Sequence, residues 1–361
     1  EKQWDVTLVT LCTQRLDFYP IHPGARRIAL DVASPSRNIA HSLINNLRRI
    51  FKLRAALMNS NPDVIVSFMD TTNVVTLLAT RGMSVRVVVA DRTEPRIQNP
   101  GCIWSWLRRI CYPWANAVIA LSSEAADWLS VFVKKERIHI IPNSAPSSTE
   151  RQKYIVKPAD LNSVTQRQPA VVAAGRLSRE KGFDLLLHAF AEAVRGRFEW
   201  RLTILGEGNE REALTQLAIN LRIQDQVHFP GVVKDVFRVF KEADLFVMSS
   251  RYEGFPNALL EAMSCGLPAV SFDCPSGPRQ IIRHGVDGIL VPPEDVAALA
   301  KAMVSLMADS VERKRLGARA GDVVERFRLE HIMHMWEAIL KPGEERDEGN
   351  SYDTEIAEPG C

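Results

Sequence analysis

Short apolar runs alternate with longer segments of helical periodicity over most of this chain. In the first part, the runs that predict strands are W-D-V-T-L-V-T-L near the start, then 63–68, 85–90, 117–122 and 138–143. The helical patterns between them cover 73–80, 101–115 and 123–133. Regular alternation of this kind predicts a parallel sheet with helices on both of its faces.

The alternation stops in a polar stretch, 144–168, and then starts again. The second set of predicted strands covers 169–175, 201–206, 227–231, 244–250, 268–272 and 289–291. We therefore expect an α/β protein with two doubly wound, Rossmann-like parallel-sheet domains in tandem. Folds of this kind bind ligands outside the carboxyl ends of their strands, so two facing domains would form a cleft.

This pattern divides the chain into five segments. We predict a first domain over 1–145, a linker over 146–165, a second domain over 166–325, a final helix over 326–342 and an acidic disordered tail over 343–361. A length of 361 residues agrees with two domains, because one hydrophobic core rarely serves so long a chain.

The charge distribution limits the choice of partners. A net charge of +2 gives no indication of a nucleic acid, but 1–148 contains 18 Lys and Arg against 11 Asp and Glu. A basic first half could contact an anionic membrane, and an ordinary solvated face explains it equally well. No apolar run reaches the ~20 residues of a spanning helix. The six cysteines are scattered without metal-binding spacing, so we expect a cytoplasmic protein with no metal site, and at most peripheral at the inner face of the plasma membrane.

The start of the chain has an unusual order of elements. Glu1 leads directly into the first predicted strand, and only the loop C-T-Q-R-L-D-F-Y-P-I-H-P-G follows it, without a glycine-rich turn and helix. We interpret this segment as the second strand of a sheet whose first strand and loop are missing.

Two cations follow the first predicted strand of the second domain, in A-A-G-R-L-S-R-E-K-G-F-D. Gly175 permits a tight turn there, and Arg176 and Lys181 come just after it. The planar fork of arginine and the point charge of lysine both suit phosphate oxygens. Taken alone, the segment is equally compatible with a loop that leads into a helix and carries two solvated cations.

Two further loops at predicted strand ends give weaker signals. In L-G-E-G-N-E-R-E, Gly206 and Gly208 would let the backbone approach a ligand closely. In F-P-G-V-V-K-D-V, backbone groups could contact a flat base. Neither motif identifies a ligand by itself.

The stretch R-Y-E-G-F-P-N-A-L-L-E-A-M, at 251–263, places two carboxylates around a helix start. Gly254-Phe255-Pro256 turns the chain, and its proline suits the first turn of a helix that begins near Asn257. The unpaired amides and the dipole of that N-terminus favour a diphosphate. Glu253 would repel phosphate but can accept hydrogen bonds from hydroxyl groups. Glu261 lies eight residues further along the chain, and the distance between the two residues would be ~12 Å if the whole span were helical. The alternatives are a capping role for Glu253 and a surface ion pair for Glu261.

These motifs resemble those of the retaining glycosyltransferases of family 4, which have the GT-B fold. The resemblance rests on E-G-F-P-N-A-L-L-E-A-M-S-C-G-L-P-A-V, with G-R-L-S-R-E-K-G before it and H-G-V-D-G-I-L-V-P-P after it, and covers nearly all of 166–325. The first domain resembles more loosely the members that build bacterial polysaccharide and lipid-linked oligosaccharide repeats. That looser resemblance rests on D-F-Y-P-I-H-P, P-D-V-I-V-S-F and A-D-R-T-E-P.

The resemblance implies a nucleotide-diphosphate sugar as donor, with UDP as the commonest nucleotide, and a role for each matching residue. Arg176 and Lys181 would hold the diphosphate. Glu253 would bind hydroxyls of the transferred sugar, and Glu261 the ribose diol. The implied donor-binding residues are Gly175, Arg176, Lys181, Gly206, Glu207, Gly208, Val232, Val233, Glu253, Gly254, Phe255, Pro256, Asn257 and Glu261, with Arg176, Lys181 and Glu253 as the catalytic groups.

The sequence departs from the family pattern at two of the motifs. Gln280 stands where glutamate is commoner, which we expect to be tolerated. The family often supplies a histidine from the first domain near the transferred sugar. The corresponding place here is A-D-R-T-E-P, which offers Asp91, Arg92 and Glu94 as acceptor-side candidates.

From these residues and the resemblance we expect a retaining, metal-independent glycosyltransferase. It would move a hexose or N-acetylhexosamine to a glycan or a polyprenyl-diphosphate-linked acceptor in surface polysaccharide assembly. The sequence has no D-x-D pair, so Arg176, Lys181 and the helix amides would stabilise the departing diphosphate. An inactive nucleotide-sugar-binding subunit is the alternative, and a GT-B sugar-nucleotide epimerase is a weaker one.

The segment I-W-S-W-L-R-R-I-C-Y-P-W, at 103–114, bears on the acceptor. It mixes aromatic residues with arginines, as amphipathic helices at bilayer surfaces do. The alternative is a helix that covers the sheet and exposes two arginines.

Overall fold

The structure, a computed structural model, describes residues 4–13, 21–32, 39–92, 101–147, 168–196 and 199–341. The described strands are β1 (Thr7–Thr10), β2 (Arg26–Ala29), β3 (Val64–Phe68), β4 (Arg86–Ala90), β5 (Ala117–Ala120), β6 (Ile138–Ile140), β7 (Ala170–Ala174), β8 (Arg201–Leu205), β9 (Val227–Gly231), β10 (Leu245–Met248), β11 (Ala269–Phe272) and β12 (Gly288–Val291). Every pairing between these strands is parallel.

Helices connect the strands and cover the sheets. The described helices are α1 (Ile39–Ser60), α2 (Asp70–Ala79), α3 (Cys102–Cys111), α4 (Ser123–Leu129), α5 (Phe183–Ala193), α6 (Arg211–Asn220), α7 (Val236–Glu242), α8 (Asn257–Ser264), α9 (Pro278–Ile281), α10 (Val296–Ala308), α11 (Ser310–Ala320), α12 (Val323–Arg326) and α13 (Leu329–Leu340).

The second half of the chain folds around a six-stranded sheet in the order β12-β11-β10-β7-β8-β9. From β7 the chain adds strands in one direction, and from β10 it adds them in the other. The point where the strand order reverses therefore lies between β7 and β10, which pair through Leu245 with Val171 and Phe246 with Val172. The loops that follow these two strands carry the predicted catalytic groups, and such a switch point is where doubly wound sheets bind ligands.

Both faces of this sheet are buried under helices. One core cluster contains Leu186 of α5, Leu214 of α6 and Met303 of α10. The other contains Phe240 of α7 and Leu259 of α8. Because both faces are covered, the central strands are nearly continuous apolar runs, which is the expected composition for a buried parallel sheet.

The first half contains a four-stranded sheet, β3-β4-β5-β6, and a separate pair, β1-β2. The apolar run at the start forms β1 from Thr7, as predicted from its pattern. We did not predict β2 or α1. β2 reads R-R-I-A and has too few apolar residues to be recognised from sequence as a strand.

Two predicted helices are shorter than expected. α3 ends at Cys111, and a 3₁₀ turn over Tyr112–Trp114 replaces the rest of the predicted segment 101–115. Its Pro113 cannot donate the backbone hydrogen bond that would continue an α-helix. α4 ends at Leu129 rather than at 133.

The final helix connects the two halves of the molecule. Ile332, Trp336 and Ile339 of α13 pack in one cluster with Val88 of β4 and Ile119 of β5. α13 follows the second sheet in sequence but packs on the first. The predicted boundaries of the five segments stay predictions, and both the tail after 341 and most of the linker lie outside the described residues.

Over the described residues, no helix combines the length and the apolar character needed to cross a membrane. None of the five described cysteines forms a disulfide.

Candidate active site

Lys181 and Glu253 form the centre of the site. The Nζ of Lys181 donates to the Oε1 of Glu253 over 2.7 Å, and the Oγ of Ser250 donates to the same oxygen, also over 2.7 Å. Both charged side chains are largely shielded, with relative exposures of 25% and 11%. Two predicted catalytic residues therefore meet at the switch point of the sheet, although 72 positions separate them in the chain.

The loop before Lys181 fixes where its ammonium group lies. A Cβ placed on Gly175 would lie 3.3 Å from the Cδ of Lys181, so the absence of a side chain lets the lysine stem pass close over the backbone. The backbone carbonyl of Lys181 accepts a hydrogen bond of 3.0 Å from the Oγ of Ser249. The lysine is thus held at its stem and at its backbone.

Gly182 begins α5 in a left-handed conformation, with φ of 61°. A Cβ at this position would lie 2.0 Å from the carbonyl oxygen of Ser249. Only glycine fits both the backbone conformation and the close approach of the two loops.

Arg251 holds the loops after β7 and β10 together, and sequence reasoning missed it. Its guanidinium group makes a bidentate pair with Asp184, at 2.9 and 2.7 Å, and donates to the carbonyl of Arg179 over 2.7 Å. A second carboxylate, Glu294, accepts from its Nε over 3.1 Å. This network surrounds Lys181 without competing for its ammonium group. The only sequence signal was its place as the first residue of the stretch at 251–263, since its partners are distant in the chain.

The turn after Glu253 leads into α8, whose N-terminus is open. Pro256 occupies the N-cap position, and no side chain caps the helix. The first intrahelical bonds run from the amides of Leu259 and Leu260 to the carbonyl of Pro256. The amides of the first turn can therefore donate to an anion, with the helix dipole adding to the attraction.

Neighbouring loops set the environment of this turn. A Cβ on Gly277 would lie 2.6 Å from the Cδ of Pro256, so a glycine backbone packs against the turn. Phe255 is buried, and its ring lies edge-on to that of Phe327 at 5.5 Å between centroids. Burial raises the pKa of the Cys274 thiol to about 12, and the neighbouring charge of Glu253 acts in the same direction. The site thus has a rigid, apolar floor and a neutral thiol.

The loop after β8 stacks directly on the loop after β7. A Cβ would lie 1.9 Å from the carbonyl oxygen of Gly175 if placed on Gly206, and 2.1 Å from that of Leu177 if placed on Gly208. Both glycines are therefore needed for the contact between loops. Glu207 pairs with Arg211 over 2.7 Å and is about half exposed.

Other predicted donor-binding positions are less constrained. Arg176 is exposed at the start of the loop after β7. Val232 is 58% exposed after β9, and Val233 packs partly against the core beneath α7 and α8. These positions lie on the same sheet edge as Lys181, as the sequence predicted, but among the described residues no hydrogen bond or ion pair joins their side chains to it.

Glu261 lines a cleft of about 390 Å³. Only part of the eight-residue interval from Glu253 is helical, because α8 begins at Asn257, so the expected helical distance between the two carboxylates is wrong. Burial raises the pKa of Glu261 from 4.5 to about 7. The cleft is lined by Arg92, Pro142, Asn143, Ser144, Pro146, Asn257, Leu260, Glu261, Leu329, Ile332, Met333 and Trp336.

The acceptor-side candidates have different surroundings. Asp91 is buried, accepts from the hydroxyl of Tyr112 over 2.6 Å and lies 3.9 Å from Arg108. Burial raises its pKa to about 6. Asp91 therefore belongs to a network inside the first domain, whereas Arg92 faces the cleft that Glu261 lines. Glu94 lies outside the described residues.

Gln280 connects the two halves of the protein. Its Nε2 donates to the Oε2 of Glu124 over 3.1 Å. A glutamate at 280 would place a second carboxylate against Glu124, so the departure from the family pattern has a local cause. Elsewhere in the described part of the chain, no three His, Cys, Asp or Glu side chains come together in a way that could hold a metal ion.

Comparison with known proteins gives two family matches. The model for "Glycosyl transferase 4-like domain" matches residues 1–144, and the model for "Glycosyl transferases group 1" matches residues 168–309. The chain therefore belongs to the glycosyltransferase family that these two domain models describe. The two matches together span both sheets and the loops that hold Lys181 and Glu253.

Two relatives of this glycosyltransferase cover most of its length. It is 29% identical, over 83% of its length and 80% of the relative, to an alpha-1,4-N-acetyl-D-galactosaminyltransferase of Campylobacter jejuni named for the acceptor GalNAc-alpha-(1->4)-GalNAc-alpha-(1->3)-diNAcBac-PP-undecaprenol. It is 25% identical, over 93% and 91% of the two chains, to the amylovoran biosynthesis glycosyltransferase AmsD of Erwinia amylovora.

Solved structures agree on the fold of this glycosyltransferase. Sucrose-phosphate synthase of Thermosynechococcus elongatus superposes with a TM-score of 0.77 at 21% identity, covering 93% of this chain and 88% of that one. HepE of Anabaena, solved with UDP-glucose, superposes with a TM-score of 0.71 at 21% identity, covering 80% and 81%. The glycosyltransferase has the GT-B fold, as predicted from its sequence.

Proposed function

We propose that this glycosyltransferase moves a hexose or N-acetylhexosamine from a nucleotide-diphosphate sugar, UDP being the expected nucleotide, to a glycan or lipid-linked acceptor. The observation that carries the proposal is the meeting of Lys181, Glu253 and the open N-terminus of α8 at the switch point of the second sheet. The names of the Campylobacter and Erwinia relatives support surface polysaccharide or lipid-linked oligosaccharide assembly as the setting. We place the enzyme at the cytoplasmic face of the membrane where such acceptors would be built.

The proposed chemistry breaks the bond between the anomeric carbon and the diphosphate oxygen. Negative charge then grows on the leaving diphosphate, and in this proposal Lys181, Arg176 and the first amides of α8 would stabilise it. Fixed donors aimed at developing charge often contribute more to the rate than any other catalytic effect. These groups would make a divalent metal unnecessary.

Glu253 has a different part in the proposal. Its carboxylate is already paired with Lys181 and Ser250, so its remaining lone pairs can accept from sugar hydroxyls. The sugar would then lie beside Glu253, with its phosphate handle at Lys181 and α8. The acceptor oxygen would bond to the anomeric carbon from the face that the diphosphate leaves, and the acceptor proton would pass to the departing phosphate oxygen. The configuration is then retained.

The acceptor side of the proposal rests on α3. Ile103 and Trp106 are 71% and 61% exposed, while Trp104 and Leu107 pack on the core. Arg109 is exposed, and α3 contains no acidic residue. An apolar and cationic exposed row of this kind suits an anionic bilayer that carries a lipid-linked acceptor. The expectation of two exposed arginines is wrong in part, because Arg108 is buried above the ring of Trp128.

Nucleotide release from a panel of UDP-sugars tests the proposal, measured with EDTA present and with or without an undecaprenyl-diphosphate-linked glycan. Release that depends on the acceptor supports transfer. Binding of UDP without any release would support the alternative of an inactive binding subunit, and release of UDP without transfer to any acceptor would favour an epimerase-like or hydrolytic reaction. NMR of the product gives the anomeric configuration, and an inverted product would contradict the proposed mechanism.

A further inference from the structure

A chain of polar side chains joins the first domain to the start of α8. The guanidinium of Arg92 donates through Nη1 to the Oδ1 of Asn143. The Nδ2 of Asn143 donates over 2.7 Å to the Oδ1 of Asn257, the first residue of α8. This relay begins at the carboxyl end of β4 and ends at the helix N-terminus that we assign to the diphosphate.

Arg92 is held firmly at the first-domain end of the relay. Its guanidinium carbon lies 5.1 Å from the ring centroid of Phe68 and 5.9 Å from that of Trp336. Those two rings are themselves in contact, at 6.0 Å between centroids. Two aromatic faces, one from β3 and one from α13, therefore position a cation that the first domain supplies.

The chemistry of arginine fixes the direction of every hydrogen bond in the relay. A guanidinium group can only donate, so Asn143 must turn its carbonyl oxygen towards Arg92. The side-chain nitrogen of Asn143 then faces Asn257, whose side-chain oxygen, Oδ1, accepts the hydrogen bond. The Nδ2 of Asn257 is left as the last donor of the relay, and within the described part of the chain no further residue accepts from it.

We propose that Arg92 is a positioning residue that acts through Asn143 to present the Nδ2 of Asn257 to the donor diphosphate. The inference rests on the proposed function, and it adds a hydrogen-bond donor to the amides of α8. It also gives Arg92 a role on the donor side, although the sequence had suggested the acceptor side. The relay spans both domains, so a relative movement of the domains could separate Arg92 from Asn143. The side-chain amide of Asn143 would then be free to turn, and the Nδ2 of Asn257 would no longer be held towards the diphosphate.

Asn143→Asp tests the direction of the hydrogen bonds in the relay, because aspartate has almost the same side-chain shape as asparagine. An aspartate keeps the acceptor for Arg92 but cannot donate to Asn257, which would turn its Nδ2 towards the new carboxylate. Asn257→Asp keeps the acceptor for Asn143 and removes the outward donor directly. We expect both variants to weaken UDP binding about tenfold, the effect of losing one hydrogen bond to a charged group, without lowering Tm.

Neutral variants separate the loss of a donor from the addition of a negative charge. Asn257→Ala should weaken UDP binding by a similar factor. Arg92→Met, which removes all the donors, should weaken it, and Arg92→Lys, which keeps a donor and the charge, should restore most of the affinity. The matched control is Arg86→Met, because Arg86 also joins β4 to α13, through a 2.9 Å bond to the carbonyl of Ile339, but does not reach α8.

The readouts are calorimetric Kd for UDP and Tm for each variant. If only the aspartate variants lose affinity, added charge explains the result and the relay is overturned. If Arg92→Met and Arg86→Met lower affinity and Tm alike, the role is structural and the proposal fails. A wild type that does not bind UDP would overturn the proposed function, and the relay with it, whereas wild-type binding that every variant keeps would overturn the relay alone.

Discussion

Lys181 and Glu253 lie 2.7 Å apart and are each shielded from solvent by the loops that carry them. An ion pair between a group assigned to phosphate and one assigned to sugar hydroxyls has a direct consequence for catalysis. In the proposed reaction the pair would hold both side chains in place, so neither would have to be ordered when the donor arrives. It also keeps the local charge near zero, which leaves the α8 amides and Arg176 as the groups that attract an anion most strongly.

Replacing the predicted phosphate ligands should remove most of the turnover. Lys181→Ala and Arg176→Ala should each reduce kcat by ~10²–10³-fold, the usual effect of removing one preorganised donor. Lys301→Ala, which removes an exposed cation from α10 on the opposite face of the sheet from α8, is the matched control and should keep wild-type activity. The assay is nucleotide release with EDTA present. Wild-type rates for both site variants would show that the diphosphate is bound elsewhere.

Glu253→Gln separates the two roles of that side chain, as the ion-pair partner of Lys181 and as a hydrogen-bond acceptor. The amide still accepts a hydrogen bond through its oxygen, but the ion pair with Lys181 is lost, so the lysine gains freedom. We expect kcat to fall while Tm falls only modestly, because the glutamine oxygen keeps the hydrogen bond from Ser250 and the Lys181 ammonium, a quarter exposed, can turn towards water. Thermal melts and initial rates measured on the same sample test this. A large drop in Tm with unchanged kcat would make Glu253 a structural residue.

Glu261 should make stability depend on pH. Burial raises its pKa to about 7 in the folded chain, against 4.5 for an ordinary glutamate. The folded state therefore holds this proton more tightly, and the contribution of Glu261 to stability falls as pH rises from about 4.5 to about 7. Glu261→Gln has no proton to lose, so its free energy of unfolding should exceed that of the wild type at pH 8, by up to about 3 kcal/mol, and match it at pH 4.

Denaturant titrations at pH 8 and at pH 4 measure that difference. Glu136→Gln, at an exposed position in the first domain, is the control and should change neither value. The same Glu261→Gln variant should bind UDP more weakly, because a ribose diol would lose its charged acceptor. Equal stability of variant and wild type at both pH values would contradict the buried environment of Glu261.

Gly182 should not tolerate a side chain. Gly182→Ala must place a Cβ against the carbonyl of Ser249, whereas at Gly285, which has a similar φ of 73°, no atom of the described residues lies within 4 Å of that Cβ position. Both substitutions carry the cost of a left-handed alanine, so their difference isolates the clash. We expect Gly182→Ala to lower the free energy of unfolding by about 1–3 kcal/mol more than Gly285→Ala, with loss of activity because Lys181 is adjacent. Chemical denaturation and initial rates give both numbers.

The sequence was sufficient to predict the alternation of strands and helices and the edge of the sheet where the site lies. Apolar runs such as A-V-V-A-A and L-F-V-M are long enough to mark buried parallel strands, and the residues directly after them were the ones to inspect. The pairing of Lys181 with Glu253 follows from the position of β7 next to β10, which local pattern does not contain. It could be inferred only from the resemblance to a known fold.

The residues that sequence reasoning missed share a property. Arg251, Asp184 and Asn143 act through partners 43 to 114 positions away, so no local spacing reveals them. β2 was missed for another reason, since a four-residue strand with two arginines carries little periodic signal. α1 gives a clearer signal, because its apolar residues recur at helical spacing, and it could have been predicted. Asp91 was chosen for its position after a strand, and only the packing of Tyr112 and Arg108 around it shows that it faces the interior.

The exposed row on α3 predicts binding to anionic membranes. Ile103→Ser and Trp106→Ser should each reduce the fraction of protein that floats with vesicles of phosphatidylglycerol and phosphatidylethanolamine, and Arg109→Gln should reduce it mainly at low salt, where screening is weak. Val311→Ser is the matched control, because Val311 is 75% exposed on α11 in the second domain and should not enter a bilayer. Far-UV circular dichroism confirms that each variant is folded. Equal flotation of all variants, or flotation that is independent of anionic lipid, would show that α3 only covers the sheet and that the acceptor is reached by another surface.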